Sequence, residues 1–400
     1  MAITLKHISK PVNKTIQLPA SKSISNRLLI IQALTEKKFH IKNLSQADDT
    51  RHLLGALKHP KDVIDCGDGG TTFRFLLAYY ASKKGEQRIS GSSHLMRRPV
   101  QPLVDALKKL GAKISVQKNI ITIRGRQLSG GNLNIDASVS SQFISGLLLI
   151  APTMKNNLEL TLEGKIVSDS YIDLTIALMQ QFGIQVSRMG KIISVAAGKY
   201  SGNEIEVESD WSAATYFYEL AALNQGCKII FKGLRKNSLQ GDSVVAEMYE
   251  ALGVKTTFKD EGVLIENKKS GFSKSAALTF NLKDYPDLFP ALVITCAAKK
   301  IKCRFKNVAH LQHKESARAS VFKALIEKMG GKVRQTKNVF EIESYSSNSS
   351  RSIEWFHTYN DHRVAMALAP LAAVYDQVKI HEPQVVKKSF PDFWKEFPRK

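Results

Sequence analysis

The sequence has little with which to staple itself together. Its four cysteines, Cys66, Cys227, Cys296 and Cys303, are scattered, with no CxxC pair and no zinc spacing. They read as small buried hydrophobes in a reducing compartment. No apolar run approaches the roughly 18–20 residues that cross a bilayer. The opening Met1-Ala2-Ile3-Thr4-Leu5-Lys6 lacks the apolar core of a signal peptide. A soluble, cytoplasmic protein with no membrane partner is therefore expected. Acidic residues are also short: 36 Asp and Glu against 58 Lys and Arg give a net charge of +22. Such a charge first suggests nucleic acid. The lysines are dispersed, however, aromatics make up only 8%, and no basic-aromatic tract is present. Nucleic-acid binding is thus the distant alternative. A positive field that draws in a small, highly anionic substrate is the closer one.

What the chain does have is apolar residues, at 43% of 400. That is enough for two domains of about 200 residues each. Four polar clusters each run straight into an apolar segment. Ser21-Lys22-Ser23-Ile24-Ser25-Asn26-Arg27 precedes 28–34, Asp68-Gly69-Gly70-Thr71-Thr72-Phe73-Arg74 precedes 75–80, Ser138-Val139-Ser140-Ser141-Gln142 precedes 143–150, and Asn360-Asp361-His362-Arg363 precedes 364–374. A helix start leaves backbone N–H groups unpaired at the positive end of the dipole, which favours an anion. Taken singly, each cluster is an ordinary N-cap; four together, three with an arginine, point to a site that gathers anions from several helix ends.

A repeat orders the rest. Six segments share an apolar helix end, a short polar break and an alternating strand, and after the first interval copies recur about every 70–75 residues. Four amphipathic helices interleave with them, over 104–111, 175–183, 244–253 and 321–331, each stopped by a glycine at C′. Two strands around a polar turn follow each. Each unit then reads as strand, helix, strand, helix and hairpin. Six units divide as three plus three, with the second half opening near Ser209-Asp210-Trp211-Ser212. Residues 1–19 are left as an extra strand for the C-terminal half.

At this point the motifs carry a resemblance. Leu18-Pro19-Ala20-Ser21-Lys22-Ser23-Ile24-Ser25-Asn26-Arg27 resembles the N-terminal signature of the 5-enolpyruvylshikimate-3-phosphate (EPSP) synthase family. Gly69-Gly70-Thr71-Thr72-Phe73-Arg74 is similar to its Gly-Thr-x-x-Arg loop, and Arg97-Arg98-Pro99 to its Arg-Pro turn. Ser140-Ser141-Gln142, Lys314-Glu315-Ser316-Ala317-Arg318, Asn360-Asp361-His362-Arg363 and Lys388-Ser389-Phe390-Pro391-Asp392 follow in the family's order. The resemblance spans essentially the whole chain. It implies an α/β fold: a two-domain inside-out α/β barrel, each domain three βαβαββ repeats, with helix N-termini facing an interdomain cleft. The domains implied are 20–208, on the shikimate 3-phosphate side, and 1–19 plus 209–400, which carries the catalytic acids and phosphoenolpyruvate ligands. The activity implied is transfer of the enolpyruvyl group of phosphoenolpyruvate to the 5-hydroxyl of shikimate 3-phosphate, in chorismate and aromatic amino acid biosynthesis. Neither metal nor organic cofactor is implied, and a monomer is expected.

Residue by residue, the resemblance gives Lys22, Gly70, Arg98, Gln142, Arg318, Arg363 and Lys388 to phosphoenolpyruvate. It gives Lys22, Ser23, Arg27, Ser140, Ser141, Gln142, Ser168, Asp287 and Lys314 to shikimate 3-phosphate, with Tyr171 near its ring. Guanidinium forks suit these substrates because they pair with carboxylate and phosphate. Asp287 is the expected base toward the hydroxyl and Glu315 the expected acid toward the methylene, with Lys22 assisting at the leaving oxygen. On their own, an Asp after Tyr-Pro is a helix cap and Glu315–Arg318 an i,i+3 surface pair. Asp68 replaces a typical asparagine and would repel phosphoenolpyruvate unless paired. His310 replaces another asparagine, either to donate to phosphate or to pack. The nearer rival is UDP-N-acetylglucosamine enolpyruvyl transferase, which pairs Lys-Asn where this chain has Lys22-Ser23 and carries a loop cysteine. None occurs here between Cys66 and Cys227.

Overall fold

A computed structural model describes residues 2–267, 277–346 and 355–398. The chain forms two compact units, Ala20–Val207 and Met1–Pro19 with Glu208–Lys400.

In the unit Ala20–Val207, two four-stranded sheets share one plan. Val63–Asp65, Gly85–Ser90, Ile120–Gly125 and Lys113–Gln117 lie side by side in that order, the first pair parallel and the others antiparallel. Gly131–Asp136, Leu158–Glu163, Ile192–Val195 and Val186–Met189 repeat it. A parallel pair needs a crossover, supplied by the helices Gly70–Ser82 and Ser141–Ile150. The third sheet departs from the expected repeat: it pairs only Ile41–Lys42 with Ile205–Glu206 and has no hairpin. The helix Asp48–Lys58 takes up most of the chain before the next strand at Val63, leaving too few residues for two more strands.

The other unit has the same plan twice. Asn13–Ile16, Lys228–Phe231, Gly262–Asn267 and Val254–Lys259 form one sheet, and Leu278–Asn281, Cys303–Lys306, Val339–Tyr345 and Gly331–Gln335 the next. The third holds Trp355–Phe356, Gln377–His381 and Ala2–Lys6. Residues 1–19 therefore give two strands in two sheets, where the repeat predicts one. Pro11, which cannot donate to a ladder, lies in the break between them.

The crossover helices are apolar all round and are buried accordingly. Phe289–Ala298 is covered from Phe289 to Ala297, and the Phe289 ring meets Phe305, Phe322 and Phe340 edge-on at 5.4, 5.5 and 5.2 Å. The interleaved helices are Gln101–Lys109, Asp169–Gln181, Val245–Glu250 and Arg318–Lys328. Three start earlier than apolar spacing predicts, at Gln101, Asp169 and Arg318, because their first turns carry polar residues that the pattern does not register. Gly111, Gly183 and Gly253 end the first three with φ of +111°, +83° and +92°. The fourth stop is Gly330, at φ +84°, and Gly331 already begins a strand.

Candidate active-site residues in each unit

In the unit Ala20–Val207, most of the predicted residues sit at helix starts, with Arg27 one turn further in and Arg98 in a loop. The Ser21 hydroxyl caps the helix Lys22–Leu34, accepting from the Ile24 amide, and the Ser140 hydroxyl caps Ser141–Ile150, accepting from the Gln142 amide at 3.3 Å. The motifs thus act locally as helix caps. Lys22 Nζ lies 3.0 Å from Asp49 Oδ2, and the Asp49 carbonyl accepts from Thr72 Oγ1 at 2.6 Å, tying Lys22 to the Gly69-Gly70 loop.

Arg27 is buried among neutral acceptors. Its Nε donates to Thr175 Oγ1 at 2.7 Å, Nη1 to the Ser23 carbonyl at 2.8 Å, and Nη2 to Ser145 Oγ and the Tyr171 carbonyl at 3.1 Å each. Burial pulls its pKa down to about 10, still well above neutrality. Three predicted residues, Ser23, Arg27 and Tyr171, therefore meet at one guanidinium. Ser168 begins the helix that carries Tyr171 and holds φ +56°, a left-handed conformation rare for a residue with a side chain.

Gly70 opens the helix Gly70–Ser82 and lies against Arg98: a Cβ built on it would be 2.5 Å from Arg98 Nη1. Gln142 Nε2 donates to Thr71 Oγ1 at 2.9 Å, joining the starts of two helices. Arg74 donates to the Gly70 and Pro99 carbonyls at 3.0 and 2.8 Å, fastening the two loops around Arg98. Asp68 accepts from the Ser92 hydroxyl, a neutral donor that orients the carboxylate without cancelling its charge.

In the other unit, the predicted residues converge on one buried arginine. Arg318 Nε donates to Asp361 Oδ2 at 2.9 Å, Nη1 to Asp287 Oδ1 at 2.9 Å, and Nη2 to Glu315 Oε2 at 2.6 Å. Arg363 Nη2 reaches Asp287 Oδ2 at 2.6 Å and Nη1 the Tyr216 hydroxyl at 3.3 Å. Lys388 Nζ lies 3.3 Å from Glu315 Oε1, and Lys314 Nζ 4.0 Å from Asp287 Oδ1. The Glu315–Arg318 pair is therefore no surface pair. Burial alone would raise the Asp287 pKa, but Arg363, Lys314 and Arg318 outweigh it and hold the carboxyl far below the usual range. Burial would likewise lower Arg318, yet Asp361, Glu315 and Asp287 raise it. Asp287 is ionised and Arg318 charged throughout the working pH range.

His310 is buried, and burial followed by Lys314 brings its pKa down to about 3, so the ring is neutral. Sequence reasoning missed Asp49, Thr175, Ser145, Tyr216 and Asp242. Asp242 is buried with its Oδ2 against the Ser212 hydroxyl, and burial followed by Asp287 raises its pKa. Asp361 was quoted in a motif without a role, although its N-cap position could have drawn attention.

The fold is that of the enolpyruvyl transferases. The chain superposes on the EPSP synthase of Acinetobacter baumannii with a TM-score of 0.77 at 22% identity, covering 98% of this chain and 97% of that one. It superposes on the enolpyruvyl transferase NikO of Streptomyces tendae with a TM-score of 0.76 at 12% identity, covering 99% and 96%. Sequence narrows this further. The family model of EPSP synthase (3-phosphoshikimate 1-carboxyvinyltransferase) matches residues 6–61 and 55–397. The 3-phosphoshikimate 1-carboxyvinyltransferase of Bacteroides fragilis is 41% identical, across 96% of this chain and 94% of the relative. That of Colwellia psychrerythraea is 32% identical, across 98% and 97%. The chain belongs to the EPSP synthase family.

Proposed function

We propose that the protein transfers the enolpyruvyl group of phosphoenolpyruvate to the 5-hydroxyl of shikimate 3-phosphate by addition and elimination, releasing phosphate. The observation that carries this reading is the knot around Arg318. Residues from three distant segments, 287, 315–318 and 361–363, meet there with the acids and bases the chemistry needs.

In the addition, the 5-hydroxyl oxygen bonds to the enol carbon of phosphoenolpyruvate as its proton passes to Asp287 and Glu315 protonates the methylene. In the elimination, Glu315 takes a proton back from the new methyl group, the C–H pair forms the new carbon–carbon double bond, and the carbon–oxygen bond to phosphate breaks with its electron pair leaving on phosphate. Asp287 is a poor base while both arginines hold it; an anionic substrate that draws Arg318 and Arg363 away raises its basicity. Lys22 assists at the leaving phosphate. Gly70 through its backbone, Arg98 and Gln142 in one unit, and Arg318, Arg363 and Lys388 in the other, are the ligands assigned to phosphoenolpyruvate. Ser23, Arg27, Ser140, Ser141, Ser168 and Lys314 hold shikimate 3-phosphate.

We place the reaction in aromatic amino acid biosynthesis, carried out by a cytoplasmic monomer that binds no nucleic acid. Among the described residues no helix is long and apolar enough to cross a membrane. The test is phosphate release from phosphoenolpyruvate with shikimate 3-phosphate or UDP-N-acetylglucosamine as acceptor. Release with the first alone is expected; release with the second alone overturns the reading in favour of the sister activity.

A further inference from the structure

Three carboxylates surround Arg318, and they are not equivalent. The side chains of Asp287 and Glu315 retain 16% and 13% of their exposure, whereas that of Asp361 retains none. A ligand arriving from solvent can therefore displace the first two. Asp361 lies along the Nε–Nη2 edge of the guanidinium. Its Oδ2 accepts from Arg318 Nε at 2.9 Å and from Ser316 Oγ at 3.0 Å, while Oδ1 accepts from the Arg363 amide at 2.9 Å and from Arg318 Nη2 at 3.5 Å. One buried side chain thus fixes both the arginine of one segment and the helix turn that carries the arginine of another.

The backbone before it is strained to suit. Tyr359 and Asn360 hold φ of +52° and +54°, two successive left-handed residues that are not glycine. Such strain persists only where its surroundings impose it, and here it delivers Asp361 into the knot.

We propose that Asp361 is the positioning residue of this half-site. It keeps Arg318 in a fixed relation to the helix turn that carries Arg363, so that an anion displacing Asp287 and Glu315 finds the Nη atoms those carboxylates now hold already aimed. The inference rests on the activity proposed above. Without Asp361, Arg318 loses its permanent partner and follows Asp287 and Glu315, so that binding an anion requires the guanidinium to be re-aimed each time.

Asp361→Ser is the decisive variant, because serine retains an N-cap oxygen for the helix but not the reach to Arg318. Asp361→Asn keeps the shape and sets an amide where the charge was. In the full-length enzyme, both should raise the KM for phosphoenolpyruvate by roughly 10–100-fold, the loss of one charged hydrogen bond. The KM for shikimate 3-phosphate should stay unchanged. A merely structural role would lower the melting temperature without splitting the two constants. Should both variants fail to fold, Ser316→Ala removes only the hydroxyl on Asp361 Oδ2 and should raise the same KM by about threefold or more, half a decade of binding. An unchanged KM for phosphoenolpyruvate in any folded variant overturns the proposal. If wild type binds phosphoenolpyruvate by calorimetry but does not turn over, the activity reading fails alone, and the variants' calorimetric Kd for phosphoenolpyruvate decides the role of Asp361.

Discussion

Replacing Gly70 by alanine should damage phosphoenolpyruvate binding while leaving the fold intact, and the structure says by what route. The new Cβ would lie 2.5 Å from Arg98 Nη1, 3.1 Å from its Cζ and 2.8 Å from Arg74 Nη1. All are closer than a methyl group tolerates, so something must move. The helix backbone need not, since Gly70 is not among the residues of positive φ and alanine fits its conformation. Arg74 is held: it is 2% exposed and donates to the Gly70 and Pro99 carbonyls. Arg98 is half-buried, and its guanidinium yields. Displacing it forfeits a charge-assisted bond worth about 1.5–3 kcal/mol, which is roughly 10–100-fold in the KM for phosphoenolpyruvate. The clash with the held Arg74, 2.8 Å from the new Cβ, is not relieved by moving Arg98, so the melting temperature should fall by a small margin. A double-mutant cycle makes the test sharp. If the methyl acts through Arg98, Gly70→Ala adds little once Arg98→Ala is in place. Full additivity of the two effects would refute the mechanism.

Asp287→Ala and Glu315→Gln should each lower turnover by about 10²–10⁴-fold, and Glu315→Gln should still bind phosphoenolpyruvate while losing deuterium exchange into its methylene; near-normal exchange would remove Glu315 as the acid. Glu219 is wholly buried and neither of its carboxylate oxygens has a hydrogen-bond partner; burial, followed by Cys296, raises its pKa well above 4.5. The native state then holds a proton that the unfolded chain releases, so stability is present below about pH 4.5 and declines as pH rises toward the folded value. Glu219→Leu should raise the melting temperature, by a margin that widens between pH 5 and pH 8; a constant margin would contradict the assignment. His310 and Asp287 act in the opposite sense. With the His310 pKa at about 3 in the fold against about 6.5 unfolded, the unfolded chain gains the proton first, and stability falls as pH drops from about 6.5 to 3. The depressed Asp287 adds a second loss below about pH 4. Thermal melts across this range should show both limbs, and His310→Asn should abolish the upper one alone.

The repeat and the helix starts were legible in sequence because each rests on a local rule. Ser21, Ser140 and Asp361 cap helices with their own side chains, and Gly111, Gly183 and Gly253 stop them in a conformation glycine favours. The failures fall where pairing is nonlocal. Nothing near Ala2–Lys6 announces a partner at Gln377–His381, and nothing near Asn13–Ile16 announces Lys228–Phe231. One short segment therefore read as one strand when it serves two sheets.

The site divides along the same line, and the division has a chemical sense. Motifs display the bases, because lysine and arginine at helix starts are conspicuous in a chain of net charge +22. The acids that answer them come from elsewhere in the sequence: Asp49 for Lys22, and Asp361 with Asp287 for Arg318. Burial of a charge is costly unless it is hydrogen-bonded or paired, and the two buried arginines meet that cost differently: Arg27 donates to neutral acceptors, whereas Arg318 has three carboxylates. Around Arg318 a carboxylate therefore occupies each edge that an anion could take. Where that carboxylate is partly exposed, as at Asp287 and Glu315, it can exchange places with an incoming anion and be released for proton transfer. Where it is sealed in, as at Asp361, it can only hold. The degree of burial, which no spacing in the sequence encodes, is what sets Asp361 apart from Asp287 and Glu315.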